Sequence, residues 1–499
     1  MTFNTIEFLA FFGLFIVLYY VLPVKARNPL LLVGSYLFYA YYSPILVTFL
    51  VAITLVNYAC ALLLERYEPG SRGRRTVLVA GLVLDIGVLA FYKYFNFFSA
   101  ILHQISGRSG SAFTLKLLVP LGISFIIFSV ASYLVDVYRG TIAAERRVLR
   151  FALYVAFFPK VVQGPIERAE HFLPQLDEEH RFESEKYRTG MLMFLFGLFM
   201  KMVVADYAAM IVDAVYANLD GYTGAAVALA AAMFSLQIYL DFAGYSLMAI
   251  GAARILGFDL KRNFQQPYLA ATPAAFWRRW HISLTTWLRD YLYIPLGGSR
   301  CSKLRKYYNT LVTFGLSGLW HGADWGFVIW GLANGAVVAV EGDIRKLGKK
   351  KDGERAEKTK PGPIRSLLLG IMSFIILTVT WVFFRAQKLS VSLHVFKRIF
   401  RAFHLRASLK ALGAQLAAGK EGVVCGLDVA WGWPILLAGL AIVAAVDIAM
   451  QKTDLPRRLA SDKLTWLRWI VYILLICAVV IFGVYGYGYE AAGFIYADF

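Results

Sequence analysis

The sequence predicts an all-α, polytopic membrane protein of about eleven membrane-spanning helices, with re-entrant and interfacial pieces between them. Three observations carry that reading. Of 499 residues, 59% are hydrophobic and only 17% charged, with a mean hydropathy of +0.59, against roughly 45–50% and about 25% in ordinary globular domains. Apolar runs of roughly 17–25 residues, enough to cross about 30 Å of hydrocarbon, recur along the chain. The basic residues behind the net charge of +19 gather in short loops between those runs. That is the orientation signal of membrane proteins and not the stripe of a nucleic-acid binder. Cysteine adds little. Cys60, Cys425 and Cys477 lie in or near apolar runs, Cys301 stands in a basic loop, and no Cys/His spacing suits zinc or a disulfide framework.

Residues 1–7 lack Lys and Arg, whereas Lys25 and Arg27 follow the first apolar run. The N-terminus is therefore expected outside, with residues 6–22 crossing inward. Without a basic start or a small-residue cleavage site, this run reads as a retained helix and not a signal peptide. Residues 29–42 and 44–65 form a hairpin broken at Ser43-Pro44 and return to Arg66, Arg72, Arg74 and Arg75. Residues 76–102 cross outward and 115–137 inward, reaching Arg139, Arg146, Arg147 and Arg150. Three successive basic loops thus agree on one side.

Residues 151–165 are too short to cross and too apolar for an ordinary loop, and Pro159 and Gly164-Pro165 interrupt them. Non-helical backbone at membrane depth persists only where protein or a cavity surrounds it. This piece is expected to be re-entrant and to line an internal cavity, with an interfacial helix ending in a Pro turn as the alternative. Residues 190–217 cross outward carrying Lys201 and Asp206, whose spacing of five is poor for a same-face pair on an α-helix. Residues 225–251 return, with Asp241-Phe-Ala-Gly-Tyr245 among them. An aspartate in an apolar helix marks a functional site by default, although a buried structural acceptor accounts for Asp241 equally well.

Thr272-Pro273 is a good helix start, with Thr as N-cap and Pro at the first helical position. Continued as one helix, it puts Trp277, Trp280, Leu284, Trp287, Leu288 and Tyr291 on one face and Arg279, Ser283, Thr286 and Asp290 on the other, with His281 at the edge. Such a helix is expected at the cytoplasmic boundary, aromatics in the interface. Lys303, Arg305 and Lys306 are basic, as is the run 345–360. If both face the cytoplasm, residues 308–341 enter and leave on the same side in two short passes broken near 318–324. His321 then sits at the turn within the membrane, between Gly318 and Gly322. A lone buried histidine is usually a satisfied core residue, but a place at a break between glycines weighs toward catalysis.

Residues 343–365 read as a basic cytoplasmic linker. Residues 364–384 cross outward, 391–406 suit a basic amphipathic surface helix, and 434–450 and 466–487 complete the count. The whole is expected to be one integral-membrane domain, with N-terminal helices in 1–150, a catalytic core in 151–342, the linker at 343–365, and C-terminal helices in 366–499.

The stretch Phe276-Trp-Arg-Arg-Trp-His281-Ile-Ser-Leu-Thr-Thr-Trp-Leu-Arg-Asp-Tyr-Leu-Tyr-Ile-Pro-Leu-Gly-Gly-Ser-Arg300, followed by Gly318-Leu-Trp-His321-Gly-Ala, resembles the membrane-bound O-acyltransferase family. Matches run along the chain: Gly34-Ser-Tyr-Leu-Phe-Tyr-Ala, Pro120-Leu-Gly-Ile-Ser-Phe125, Asp136-Val-Tyr-Arg-Gly140, Gly164-Pro165, Asp241-Phe-Ala-Gly-Tyr245 and Asn263-Phe-Gln-Gln-Pro-Tyr268. Within the family the chain is similar to the bacterial alginate and polysaccharide O-acetyltransferases. It departs from their common pattern at Ala243, Leu247 and Gln163.

The resemblance implies helices around a central tunnel, His321 as catalytic base and His281 as its partner. It also suggests Trp320, Trp277, Asp241, Tyr245, Arg289 and Asp290 as tunnel or substrate contacts. It implies no bound cofactor or metal, but an acyl thioester co-substrate, either acetyl-CoA or a phosphopantetheine carrier. Expected partners are membrane lipid, the donor or its carrier protein on the cytoplasmic side, and a polysaccharide or secreted acetyltransferase outside, with no nucleic acid. The expected location is the bacterial inner (plasma) membrane. D-alanyl transfer to teichoic acid is the alternative within the family; a non-catalytic scaffold or a transporter of the donor is the alternative outside it. A sugar hydroxyl ionises far above neutral pH, so a positioned histidine supplies general-base catalysis worth about 10²–10⁴-fold. No Ser or Cys stands in a nucleophile-elbow context, so direct transfer is expected, with His281 orienting the donor, stabilising the oxyanion or relaying the proton.

Overall fold

Backbone placed in hydrocarbon must satisfy its own polar groups, which is why each long apolar run folds as a helix. The computed structural model describes residues 1–107, 113–352, 362–418 and 422–485. They divide into two units, one of Met1–Phe194 with Ser246–Arg262 and one of Leu195–Tyr245 with Asn263–Phe499.

The first unit opens with α1 (Ile6–Val21), whose first turn is capped by the Thr5 side chain, then α2 (Val24–Ala40) and α3 (Pro44–Arg66), with Pro44 in its first turn. Helix α4 (Arg72–Ser106) is 35 residues long, about 52 Å at 1.5 Å per residue, and so outruns the expected 76–102. The expected crossing at 115–137 is helical only from Ile123, where α5 (Ile123–Arg139) begins. Residues 113–122 are not helical. Pro120 interrupts them, and Gly122 adopts φ +69° beside the Val161 carbonyl, where a Cβ would collide. Helix α6 (Val148–Ala156) ends at the irregular stretch before α7 (Ala169–Phe172). Residues 151–169 are all buried, as non-helical backbone in a membrane protein requires. The stretch packs directly on α2, the Phe158 amide donating to Ser35 Oγ at 3.1 Å, and the Tyr154 hydroxyl donates to the Glu167 carbonyl at 3.0 Å.

Helix α8 (Ser184–Leu198) runs into a π-helical turn, Phe199–Ala205, and then α9 (Asp206–Ala217). That turn corrects the sequence reading of Lys201 and Asp206. With i→i+5 hydrogen bonds, residues five apart share a face, and Lys201 Nζ lies 2.9 Å from Asp206 and 2.6 Å from Asp241. Asp241 belongs to α10 (Gly224–Ile255).

The second unit continues with α11 (Pro273–Trp277), α12 (Ile282–Leu288), α13 (Lys303–His321) and α14 (Trp325–Asp352). Because α14 runs to Asp352, the first part of the expected 343–365 linker is helical, and residues 353–361 lie outside the described residues. Next come α15 (Pro363–Ala386), α16 (Leu389–Arg401) and α17 (Leu405–Ala417). Arg385 pairs with Asp213 at 2.7 Å and His394 with Asp220 at 3.1 Å. These acidic residues partner members of the basic stretch 385–406. Among the described residues the only strands are the hairpin β1 (Val423–Val424) and β2 (Leu427–Asp428), turned by Cys425 and Gly426 at positive φ. Helices α18 (Gly432–Met450), α19 (Leu455–Ala460) and α20 (Thr465–Phe482) complete the fold.

Eight helices among the described residues are long and apolar enough to cross a membrane. The shorter α1, of 16 residues, is apolar as well, and α2 and α5 have 17 residues each. The chain is an all-α, multi-pass membrane protein.

Candidate active site

His321 is the last residue of α13, at the expected break. Helices α13 and α14 close on each other through glycines: a Cβ at Gly318 would strike the Phe327 carbonyl, and one at Gly331 would strike the Phe314 carbonyl. Small residues permit this approach, and it fixes the helix end that carries His321. The ring is 2% exposed and packs against Trp320, Trp330 and Phe384 at 4.9, 5.1 and 5.4 Å between centroids.

His281 is held differently. The helix start at Thr272-Pro273 is as read, the Thr272 side chain accepting from the Ala275 amide. The single amphipathic helix is not. It breaks at His281, which adopts φ 42°, ψ 54°, a left-handed conformation uncommon for any residue but glycine, and one that histidine, like asparagine and aspartate, enters more readily than most. The aromatics expected in the membrane interface turn inward: Trp277 and Trp280 are buried.

Asn263 latches the break. Its carbonyl accepts from the Ile282 amide at 2.8 Å, and its Oδ1 accepts from the Ser283 hydroxyl at 2.9 Å and the Ser283 amide at 3.3 Å. The same Oδ1 lies 3.0 Å from His281 Nδ1. A side-chain oxygen already serving two donors is an acceptor here, so Nδ1 carries the proton and Nε2 of the neutral ring carries the lone pair. Burial pushes the His281 pKa far below the usual histidine range, because desolvation disfavours the charged form.

The two imidazoles are 6.3 Å apart between centroids. They share a cavity of about 50 Å³ with Trp277, Trp280, Leu284, Thr285, Leu288, Thr313, Phe314 and Ser317. This is a largely apolar chamber with two imidazoles and three hydroxyls, suited to moving a proton between small polar groups out of bulk water.

Of the residues singled out in the sequence, His281, His321 and Trp277 therefore meet at one cavity, and Trp320 packs edge-on to both histidines. The others lie elsewhere. Asp241 is bound to Lys201, although its neighbour Phe242 stacks edge-on to His281 at 4.7 Å. Tyr245 is buried four residues further along α10. Arg289 and Asp290 pair with each other at 2.7 Å, the arginine 58% exposed, in the π-helical turn Arg289–Tyr293. Sequence reasoning quoted Asn263 within a motif but gave it no role, and passed over Ser317.

The sequence model described as the membrane-bound O-acyltransferase family matches residues 31–384. The chain is 40% identical to the probable alginate O-acetylase AlgI of Azotobacter vinelandii, over 80% of this chain and 78% of that protein. It is 32% identical to the peptidoglycan O-acetyltransferase of Helicobacter pylori, over 79% of each. Similarity to the teichoic acid D-alanyltransferase of Bacillus subtilis is narrower, 28% identity over 46% of this chain and 60% of that protein.

Proposed function

This chain belongs to the membrane-bound O-acyltransferase family and is an acyltransferase, and from that premise we propose that it carries an acetyl group from a cytoplasmic thioester to hydroxyls of an extracellular or cell-wall polysaccharide. The observation that carries the assignment to a site is the pair of buried histidines lining one pocket. The donor is acetyl-CoA or the phosphopantetheine thioester of a carrier protein. The acceptor is the polymer itself or a secreted acetyltransferase that completes the relay. Acetyl is favoured over D-alanyl because the acetyl-transferring relatives match this chain over some 80% of its length and the D-alanyl-transferring one over 46%. The protein sits in the bacterial inner membrane with its N-terminus outside, an orientation supported by the three successive basic loops of the N-terminal third.

His321 acts as general base on the acceptor hydroxyl. His281, with Nδ1–H committed to Asn263, presents a lone pair at Nε2, so while neutral it accepts hydrogen bonds and protons and donates none from that nitrogen. Orienting a substrate hydroxyl or relaying its proton suits this tautomer; donating to an oxyanion does not. The test is transfer of label from an acetyl thioester to an oligosaccharide or to a purified secreted acetyltransferase, with the protein in lipid nanodiscs. Wild type is expected to move the label and His321→Ala to insert normally but leave it on the donor. Label transfer by His321→Ala would overturn the assignment of the base. Label that crosses the bilayer still bound to its donor would make the protein a transporter.

A further inference from the structure

Attack on a thioester carbonyl puts negative charge on the carbonyl oxygen, and preorganised donors aimed at that oxygen are commonly the largest single contribution to acyl transfer. The cavity holds few candidates. His281 has committed its one proton to Asn263. The Thr285 hydroxyl donates to the Trp280 carbonyl at 3.1 Å and the Thr313 hydroxyl to the Asn309 carbonyl at 2.7 Å. Two donors remain: the indole N–H of Trp277, buried at the cavity wall without a partner among the described residues, and the hydroxyl of Ser317, which lines the same cavity one turn before His321 on the same face of α13 and so stands beside the base.

Its hydroxyl differs from its neighbours on that helix. A Ser or Thr within a helix ordinarily hydrogen-bonds back to the carbonyl four residues earlier, as Thr310 does to Lys306 at 2.9 Å and Thr313 to Asn309. The Ser317 hydroxyl is hydrogen-bonded to nothing among the described residues, though the residue is only 8% exposed. Its oxygen is open to the pocket and not sealed among the buried polar atoms. A hydroxyl left out of the helix's own hydrogen bonds, open to the cavity and beside the base, is placed to meet a ligand.

We propose that the Ser317 hydroxyl donates the hydrogen bond that stabilises the oxyanion of the acyl group during transfer. The inference rests on the acyl-transfer reading above. As the acceptor oxygen bonds to the acyl carbon, its proton passes to the histidine base and the C=O π pair moves onto oxygen, where Ser317 O–H meets it. Collapse re-forms C=O and breaks the C–S bond; the departing thiolate takes the proton from the histidine. Ser317 keeps its own proton and forms no covalent bond, so the serine is a donor and not a nucleophile.

The experiment compares Ser317→Ala, Ser317→Cys and His321→Ala with wild type in nanodiscs, reading kcat and KM for transfer, donor hydrolysis without acceptor, and Tm. Ser317→Ala is expected to lower kcat by about 10²-fold, the effect of removing one oxyanion donor, with KM little changed. Hydrolysis should fall in parallel, because water attack forms the same oxyanion, while Tm holds or rises. Ser317→Cys keeps the side-chain size with a weaker donor and should also be slow. A wild-type kcat in either variant, a change confined to KM, or a kcat loss that tracks a lower Tm would each overturn the proposal while an inactive His321→Ala leaves the acyl-transfer site standing. Full activity in His321→Ala would instead remove the reading on which it rests.

Discussion

Replacing Asn263 by alanine removes one oxygen and asks how much of the site depends on it. Asn263 Oδ1 accepts from His281 Nδ1 and from both the amide and the hydroxyl of Ser283. Each buried donor left without an acceptor costs about 1–3 kcal/mol. The histidine escapes part of this by shifting its proton to Nε2, and the hydroxyl can turn elsewhere, so a loss of about 2–4 kcal/mol in stability is expected. The larger effect is chemical. Once its proton sits on Nε2, His281 has no lone pair where the structure now presents one, and its ring loses the contact that orients it. A positioned acid–base group contributes about 10²–10⁴-fold, so Asn263→Ala should lower kcat by at least about 10²-fold, equivalent to about 2.7 kcal/mol. Asn263→Asp separates orientation from packing. It restores the acceptor, and its carboxylate raises the pKa of the neighbouring imidazole, so activity should return with an acid limb moved to higher pH. Initial rates of label transfer between about pH 5 and 9, alongside Tm, measure both effects. A kcat for Asn263→Ala within about threefold of wild type, with His281→Ala inactive, would refute the latch.

Two further outcomes follow from groups the structure buries. Lys201→Met leaves Asp206 and Asp241 facing each other without their cation; breaking a buried ion pair from one side typically costs about 3–5 kcal/mol. It should lower Tm and membrane yield sharply, while combining Lys201→Met with Asp206→Asn and Asp241→Asn recovers most of the loss, and a wild-type Tm for Lys201→Met alone would show that the cluster carries no structural load. His281 sets a pH dependence: its folded pKa lies below the unfolded value, so the unfolded chain binds the extra proton. Stability is full above about pH 6.5 and falls by up to about 1.4 kcal/mol per unit as pH drops below it. Tm measured from about pH 4.5 to 7.5 should fall less steeply in His281→Gln, and identical slopes would contradict the buried neutral ring.

Much of the fold was legible because hydrophobic length is a strong signal. The runs at 44–65, 225–251, 364–384 and 434–450 became α3, α10, α15 and α18 within a few residues. What failed depended on backbone states that a helical wheel assumes away. The spacing of Lys201 and Asp206 was measured against 3.6 residues per turn, and the chain uses a π turn there. The crossing at 115–137 ignored Pro120 and Gly122, both visible breakers. Residues 272–291 were read as one helix because nothing about a histidine announces a left-handed residue; the Asn263 latch that holds it comes from a different stretch of chain. Ser317 escaped notice because one serine among apolar neighbours is indistinguishable, in sequence, from Thr310 or Thr313, which satisfy themselves.

The two histidines owe their positions to unlike supports, and this bears on how the site divides its work. His321 ends a helix whose approach to its neighbour is set by glycines, so its backbone has little room to move. His281 sits in a left-handed conformation that costs of order 1–3 kcal/mol and persists only where its surroundings over-determine it; Asn263 supplies that constraint through Ile282, Ser283 and the ring itself. A helix continued through residue 281 would point that side chain elsewhere and give it no reason to prefer one tautomer. The break therefore buys two properties at once: a ring turned onto the cavity, and a proton fixed on the nitrogen that Asn263 binds. Proton transfer needs a lone pair whose location is decided before substrate arrives, and the strained joint decides it. The serine one turn from His321 lies on α13 and His281 at the joint before α12, so the imidazole nitrogen and the hydroxyl reach one pocket from different elements.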